Sequence, residues 1–231
     1  GRAYAGNGEI HAICDTYDEY NGTARSNHLG RSVIGLGDLN LDGCDDYAVG
    51  SQNEDVPGRS NQGGVRIVYG YGGPRCPPAQ RISRLATNEV NSLAGWSLAA
   101  NDFDGDGIKE LVVGARARRT NNVSVGGVWV VPGTFLANLT PRSAAVAEEA
   151  EPISLNGSGA QWLVDGDYGG SNFGWSVAAA GQYLAVGALS DEEDGIAGVG
   201  KVRVYRVAGD GIVQEPVAIV VGETWRPGGR L

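Results

Sequence analysis

The stretch Asp102-Phe-Asp-Gly-Asp-Gly-Ile-Lys-Glu110 runs directly into Leu111-Val-Val-Gly114. Carboxylates occupy its positions 1, 3, 5 and 9, and a glycine occupies position 6. Oxygen donors on alternate residues of a tight loop suit a hard cation such as Ca²⁺, and the glycine permits the sharp turn. The apolar run that follows is typical of a buried strand. This stretch therefore predicts a cation-binding turn that leads into a strand.

A second copy lies upstream, where Asp38-Leu-Asn-Leu-Asp-Gly-Cys-Asp-Asp46 precedes Tyr47-Ala-Val-Gly50. A helix-framed calcium loop would carry glutamate at position 12, but that position holds Val49 and Val113 here, so we predict loops framed by strands. An acidic turn without a metal is the alternative for one copy, whereas two copies with the same flanks favour metal binding. We predict two Ca²⁺ sites, in which position 7 donates its backbone carbonyl. The predicted ligand positions are Asp38, Asn40, Asp42, Cys44 and Asp46 in one loop and Asp102, Asp104, Asp106, Ile108 and Glu110 in the other.

Composition favours an all-β protein and excludes some functions. The chain has 231 residues, 38 glycines, no methionine and many short runs of valine, isoleucine and leucine, which is typical of a turn-rich β fold. It has no apolar run long enough for a transmembrane helix. Its net charge of −9 argues against nucleic-acid binding. The chain begins with glycine and shows no signal peptide, so we expect a mature, processed or excised piece.

Three similar units follow one another along the chain. They open at Leu29-Gly-Arg-Ser-Val33, Ala94-Gly-Trp-Ser-Leu98 and Phe173-Gly-Trp-Ser-Val177. In the third unit the first turn shrinks to Ala180-Gly181, so we expect no cation site there. Repeats of about four short strands with variable connections are typical of β-propeller blades. We predict a partial blade at 1–28, blades at 29–93, 94–172 and 173–211, and a partial blade at 212–231.

These units resemble FG-GAP repeats, the blades of the integrin α-subunit propeller. The Phe-Gly position reads Leu29-Gly30, Ala94-Gly95 and Phe173-Gly174, and the Gly-Ala-Pro position reads Gly50-Ser51, Gly114-Ala115 and Gly187-Ala188. Both acidic loops match the family pattern D-x-[DN]-x-D-G-x-x-[DE]. The resemblance covers roughly residues 29 to 206. It implies four-stranded antiparallel blades, Ca²⁺ at the turn between the first and second strands, and a role in adhesion, ligand binding or assembly at the cell surface.

Family propellers usually have seven blades, so three blades leave sheet faces to be covered. One solution is a small closed ring in which Val217–Gly222, which resembles a second strand, completes a blade with Glu9–Ile13, which resembles a third. Another is a propeller shared between two chains. The last is a piece of a longer chain whose neighbouring blades complete the ring. We expect a shared or incomplete propeller, and therefore self-association or neighbouring blades as partners.

Cysteines and glycosylation sequences bear on the compartment. Cys14 and Cys76 both follow equivalent strands of neighbouring units, so they are a candidate disulfide in an extracellular protein. Calcium modules of millimolar affinity also belong mostly outside the cell. Acceptor triplets for N-glycosylation begin at Asn21, Asn122, Asn138 and Asn156. We therefore expect an extracellular or cell-surface glycoprotein.

Other residues bear on competing functions. Trp96 and Trp175 occupy one repeated slot and would stack on sugars in a propeller lectin, although packing between blades is the favoured interpretation. The run Asp191–Asp194 would bind cations or a basic partner, but a solvated loop is the favoured interpretation. His11 and His28 belong to no recognisable catalytic motif, so we expect no enzyme. A binding, adhesion or assembly module is predicted, ahead of a carbohydrate-binding propeller or a subunit of a surface filament or layer. A polysaccharide-acting enzyme ranks last.

Overall fold

A computed structural model describes residues 28–55, 59–71, 81–143, 146–147, 151–157, 159–163, 169–208 and 211–222. These residues are mostly β-strand, and each of the three predicted units is built around an antiparallel sheet of its own. The all-β, blade-like architecture expected from the repeats is confirmed. Glu9–Ile13, Cys14, Cys76 and Asn21 lie outside the described residues.

The first blade is a meander of four strands. They are β1 (Leu29–Gly37), β2 (Asp46–Ser51), β3 (Gly64–Tyr69) and β4 (Arg81–Ala86). Each pairs antiparallel with the next, and the Asp38 loop joins the first two.

The second blade begins with β5 (Ala94–Asn101) and β6 (Glu110–Ala115), which the Asp102 loop joins. A two-stranded ribbon of β7 (Arg119–Thr120) and β8 (Val123–Ser124) precedes the third strand, β9 (Val128–Val131). The short helix α1 (Gly133–Ala137) then starts a long connection. Within this connection, β10 (Arg142–Ser143) and β11 (Ile153–Ser154) both pair with β4 of the first blade, so they cover the outer edge of that sheet. After a 3₁₀ turn at Leu155–Gly157, β12 (Gln161–Leu163) completes the second blade beside β9.

The third blade consists of β13 (Phe173–Ala180), β14 (Tyr183–Ala188) and β15 (Lys201–Ala208), with two short strands on the outer side of β15. These are β16 (Gly211–Ile212) and β17 (Ala218–Val221). The sequence suggested that Val217–Gly222 was the second strand of a further unit, and that interpretation was wrong. A short apolar run does not specify its partner strand, and here the partner is β15, which gives β17 the place of an outer strand.

Stacking of consecutive blades forms the core. We call the side of a blade that the next blade covers its forward face and the other side its backward face. Forward-face residues of the first blade, such as Val65 and Ile67, pack with backward-face residues of the second, such as Leu111 and Val113. The forward face of the second blade packs in the same way against the third. Each sheet therefore needs a neighbour to bury its apolar side chains.

The same close contact joins the blades at both junctions. The Ser32 hydroxyl donates to the Gly95 carbonyl oxygen at 2.9 Å, and Ser97 donates to Gly174 at 2.9 Å. Each acceptor carbonyl lies against a glycine of the second strand of the preceding blade. A Cβ at Gly114 would lie 2.5 Å from the Gly174 oxygen, and a Cβ at Gly50 would meet the Gly95 oxygen. In the first two blades, the glycine one residue before the end of the second strand is therefore required by the approach of the next blade.

The first and third blades each contain a buried ion pair between a loop acid and a strand arginine. Glu54 lies four residues after Gly50 and forms an ion pair with Arg66 at 2.7 Å in the first blade. The equivalent Asp191 binds Arg203 at 2.6 Å in the third blade. Glu54 also pairs with Arg84, which in turn donates to the Ala147 carbonyl at 3.1 Å. Burial lowers the pKa of Arg66, while Glu54 opposes that effect.

The second blade replaces this pair with different chemistry at the same positions. Arg118 takes the place of the acid, and Trp129 takes the place of the strand arginine. The guanidinium lies over the indole at 5.5 Å and forms an ion pair with Glu89 at 2.9 Å. A charged loop residue therefore packs on the third strand in every blade.

We expect Gly114→Ala to lower the free energy of unfolding by about 1–3 kcal/mol, because the new methyl group forces the Gly174 carbonyl away from its place. Gly157→Ala is the control, since its nearest neighbour would be the Ser154 Cβ at 3.9 Å. Urea denaturation of both variants measures the difference. Equal stability of the two variants would contradict the proposed packing.

We expect Glu54→Gln to lower the free energy of unfolding by about 3–5 kcal/mol, because it removes a buried negative charge that pairs with two buried guanidinium groups. Glu151→Gln is the matched control. Glu151 pairs with Arg59 at 3.4 Å, but its side chain is 69% exposed, so its loss costs less than about 1 kcal/mol. A small effect of Glu54→Gln in urea denaturation would show that the ion pair contributes little.

Candidate metal centre

The Asp102 loop gathers three carboxylates. Asp102, Asp104 and Asp106 each place one oxygen within 4.8 Å of the others. Backbone N–H groups of the loop hold these side chains inward. Gly107 donates to Asp102 at 3.0 Å, and Asp106 donates to Asp104 at 3.1 Å. Like charges at this spacing repel one another, and a cation between them removes that cost.

The Asp38 loop shares three hydrogen bonds with the Asp102 loop although its sequence differs. Gly43 donates to Asp38 at 2.9 Å, and the Asp42 N–H donates to the Asn40 side-chain oxygen at 3.1 Å. The N–H of position 7 donates to the aspartate at position 5 in both loops, from Cys44 to Asp42 at 3.0 Å and in the Asp102 loop at 2.8 Å. The two loops therefore fold alike.

The acid at position 9 connects each loop to its sheet. Asp46 is buried and accepts N–H groups from Leu39 at 2.9 Å and from Gly70 at 2.8 Å. Glu110 accepts from Phe103 at 2.8 Å and from Gly133 at 3.2 Å. Burial raises the pKa of Asp46 to about 6, although these two N–H groups oppose the rise, and burial also raises the pKa of Glu110.

The arrangement fits a hard divalent cation. All the side-chain donors are oxygens, as Ca²⁺ requires, and in the Asp102 loop three of them already converge. Among the described residues, Glu110 lies outside this group of three carboxylates. The roles of the position-9 acids and of the Cys44 and Ile108 carbonyls as ligands stay predictions.

Cys44 is disulfide-bonded. The chain has only two other cysteines, Cys14 and Cys76, so a bridge from Cys44 to one of them excludes the pairing of Cys14 with Cys76. The sequence offered Cys14 and Cys76 as a candidate pair and Cys44 as a donor of its backbone carbonyl, which left the Cys44 thiol unpaired. Its side chain is buried beside Gly70, at the end of the third strand. The disulfide therefore joins the Asp38 loop to another part of the chain.

At the other end of the first strands, Arg31, Trp96 and Trp175 form a row. They occupy the same slot in consecutive blades. The Trp96 and Trp175 ring centroids are 4.9 Å apart, and Arg31 lies over Trp96 at 4.2 Å. Arg116, from the loop after β6, lies over Trp96 at 3.9 Å and over Trp175 at 5.0 Å. These contacts favour packing between blades as the role of both tryptophans.

Several other positions have structural roles that the sequence did not reveal. The acidic run of the third blade begins with the buried Asp191, and Glu193 pairs with Lys201 at 2.7 Å. Part of this run therefore belongs to the blade itself. Of the glycosylation positions, Asn122 and Asn138 are exposed, and the Asn156 side-chain oxygen accepts from the Trp129 indole at 3.1 Å. The repeated spacing between strand glycine and loop acid was the signal that could have located Glu54 and Asp191.

Comparison with known proteins agrees with this geometry. The FG-GAP repeat family matches residues 94–131, which is the second blade from its first strand through β9. Integrin alpha pat-2 of Caenorhabditis elegans is 32% identical over 134 residues, which cover 56% of this chain and 10% of that protein. Human integrin alpha-10 is 37% identical over 122 residues, which cover 52% of this chain and 10% of the relative.

An enzyme also shares part of this sequence. Phosphatidylinositol-glycan-specific phospholipase D of Mus musculus is 27% identical over 146 residues, which cover 63% of this chain and 16% of the enzyme. The chain thus spans about a tenth of the integrin relatives and about a sixth of the phospholipase. No helix among the described residues has the length and apolarity to cross a membrane.

The repeated blades, the acidic loop within the matched segment and the integrin α relatives all point to one family. Residues 94–131 match the FG-GAP repeat, and the chain is similar to integrin α subunits over about half of its length.

Proposed function

We propose that this chain is a non-catalytic, extracellular propeller module of the adhesion type, in which each of the two acidic loops binds one Ca²⁺. The observation that supports it most directly is the common hydrogen-bond network of the two loops. Different residues at position 3, Asn40 and Asp104, accept the same backbone N–H in the two loops. Similar folding of two acidic turns is expected when both are shaped around a cation.

Calcium would act here as a structural ion. The aspartates at positions 1 and 5 and the Asn40 or Asp104 side chain would hold it, and its positive charge would offset the repulsion among the carboxylates. The position-9 acid accepts N–H groups from the loop and from a glycine just after the third strand. A bound ion would therefore fix the turn to the sheet and hold the first two strands of the blade in register.

The Cys44 disulfide supports an extracellular location, because disulfides persist in oxidising compartments. Calcium loops with Kd near 10⁻⁴–10⁻³ M are also filled mainly outside cells. The integrin relatives point the same way, since the family resemblance implies a cell-surface role. Adhesion, ligand binding or assembly is the function that this combination supports best.

A non-catalytic role is proposed because the chain lacks a recognisable catalytic motif and the pKa shifts have structural causes. The raised pKa of Asp46 and the lowered pKa of Arg66 both belong to groups that hold a blade together. The phospholipase relative gives this part of the proposal a direct check. Release of a phosphatidylinositol-glycan-anchored protein by the purified chain would contradict it.

We expect Asp42→Asn and Asp106→Asn each to remove one calcium site. With about 10 mM Ca²⁺ and a Kd of about 10⁻⁴–10⁻³ M, each site adds about 1.4–2.7 kcal/mol to the free energy of unfolding. Each variant should therefore lose about half of the stabilisation that Ca²⁺ gives the unchanged chain. Thermal unfolding with Ca²⁺ and with a chelator measures the gain, and calorimetric titration counts the sites.

Asp45→Asn is the matched control, because Asp45 lies in the same loop at position 8 and is not a predicted ligand. This variant should keep both sites and the full stabilisation by Ca²⁺. The calcium proposal fails if Asp42→Asn and Asp106→Asn destabilise the chain equally with Ca²⁺ and with chelator.

A further inference from the structure

We propose that a polar recess between the first and second blades binds a sugar acid, that is, a pyranose ring that carries a carboxylate. The recess has a volume of about 470 Å³, and no residue of the acidic loops lines it. Two apolar residues line it together with six polar or aromatic ones, which are Gln52, Asn53, Asn61, Asn91, Trp96 and Arg116. The proposal rests neither on calcium binding nor on an adhesion role.

The walls of the recess are loops that hydrogen bonds hold together. Gln52, Asn53 and Asn61 belong to the connection between β2 and β3, and Asn91 belongs to the connection between β4 and β5. The Asn91 N–H donates to the Ser60 carbonyl at 3.0 Å, and the Asn61 side-chain amide donates to the Asn91 side-chain oxygen at 3.3 Å. The amide groups are therefore positioned before a ligand arrives, which lowers the cost of binding.

Three of the side chains that line the recess hold a buried polar atom without a hydrogen-bond partner among the described residues. These atoms are Gln52 Oε1, Trp96 Nε1 and Arg116 Nε. The amide oxygen is an acceptor, and the indole and guanidinium N–H groups are donors. Hydroxyl groups both donate and accept, so a sugar could pair with all three. Because the atoms are buried, binding requires a rotation of the partly buried Arg116 side chain.

The junction between the second and third blades has an apolar residue where the first junction has a polar one. Gln62 and Val125 hold equivalent places, since their carbonyls accept the hydroxyls of Ser92 and Ser171. Gln62 follows a residue that lines the recess, and it is fully buried. Neither of its amide atoms has a partner in the described part of the chain. Blades therefore stack without a polar side chain at this place, so the unpaired amide fits a binding role better than a packing role.

The charge of the recess favours an anion. Arg31 and Arg116 lie over the Trp96 ring at 4.2 Å and 3.9 Å, and neither forms an ion pair with a described residue. No acidic side chain lines the recess. Burial lowers the pKa of Arg116, and the positive charge of Arg31 lowers it further. A carboxylate would offset this repulsion, and its two oxygens match the fork of a guanidinium.

The lining favours a sugar acid over an acidic segment of a protein. Protein partners are anchored mostly by tryptophan, tyrosine or arginine side chains. Arg116 would repel an arginine, and four of the eight lining residues are amides, which offer an aromatic ring few apolar contacts. The Trp96 ring is already covered by two guanidinium groups and by Trp175 at 4.9 Å. The ligand therefore binds through hydrogen bonds rather than by stacking, and amides suit neighbouring hydroxyl groups.

Titration of the 231-residue chain with glucuronate, followed by the indole N–H signals in heteronuclear NMR spectra, tests this proposal. The chain has five tryptophans, and Trp96→Phe identifies the Trp96 signal. We expect glucuronate to shift this signal with a Kd of about 1 mM, as the size of a single sugar allows. Glucose lacks the carboxylate, and acetate lacks the ring. Each should bind about tenfold more weakly, because it lacks hydrogen bonds that glucuronate makes.

A free sugar acid and the end of a glycan carry the same chemical groups. A disaccharide that ends in glucuronate separates these two sources. Binding as tight as that of the monosaccharide supports the end of a glycan as the ligand. Binding of the monosaccharide alone supports a free sugar acid.

Two variants separate the contributions of charge and hydroxyl groups. Arg116→Gln should weaken glucuronate binding about tenfold and leave glucose binding nearly unchanged, because only the carboxylate needs the guanidinium charge. Gln52→Leu should weaken the binding of both sugars, because it removes an acceptor. The third blade has Leu189 at the place of Gln52, so the fold accepts leucine there. Arg119→Gln, an exposed change, is the matched control and should bind like the unchanged chain. Unchanged circular dichroism shows that the variants fold.

Three results would overturn the proposal. One is a Trp96 signal that does not move with tens of millimolar glucuronate. Another is acetate binding as tight as that of glucuronate, which would make the recess a general anion site. The last is an unchanged affinity of Arg116→Gln, which would place binding elsewhere. Asp42→Asn and Asp106→Asn should bind glucuronate like the unchanged chain, so the calcium proposal and this one can fail separately.

Discussion

A serine hydroxyl that reaches a glycine carbonyl of the following blade is the contact on which the rest of this structure depends. It forms at 2.9 Å at both described junctions, from Ser32 and from Ser97. The carbonyl approaches so closely because Gly50 and Gly114 carry no Cβ. Once the backbones are this near, the apolar faces of consecutive sheets meet and exclude water. The stacking of blades, and so the core, follows from a small polar contact beside two glycines.

Buried charge is managed by local pairing in each blade. Glu54 forms ion pairs with two arginines, and Asp191 forms one with Arg203. Arg118 forms an ion pair with a carboxylate and lies over an indole ring. These groups come from the loop between the second and third strands, so the loop is fixed to the sheet that carries it. A buried charge without its partner is costly. The pairs therefore constrain how each loop leaves its strand.

The first two blades each have two ends with different chemistry. The acidic loops lie where the first strand ends, and the row of Arg31, Trp96 and Trp175 lies where it begins. A first strand of eight residues separates these ends by roughly 25 Å. A cation bound at one end would stabilise a blade without touching the surface at the other. The acidic loops and the aromatic row are therefore separate surfaces of the blades.

The sequence by itself determined the local features of this protein. Alternating oxygens around a glycine predict the metal loops, and the repeated strand pattern predicts the blades, because both signals lie within a few consecutive residues. Only the tertiary structure decided which distant residues meet. It placed β17 outside β15, buried Glu54 and Asp191 in ion pairs, and put Cys44 in a disulfide. The local sequence of a strand or around a carboxylate does not specify a partner far along the chain, so these pairings depend on how the blades pack.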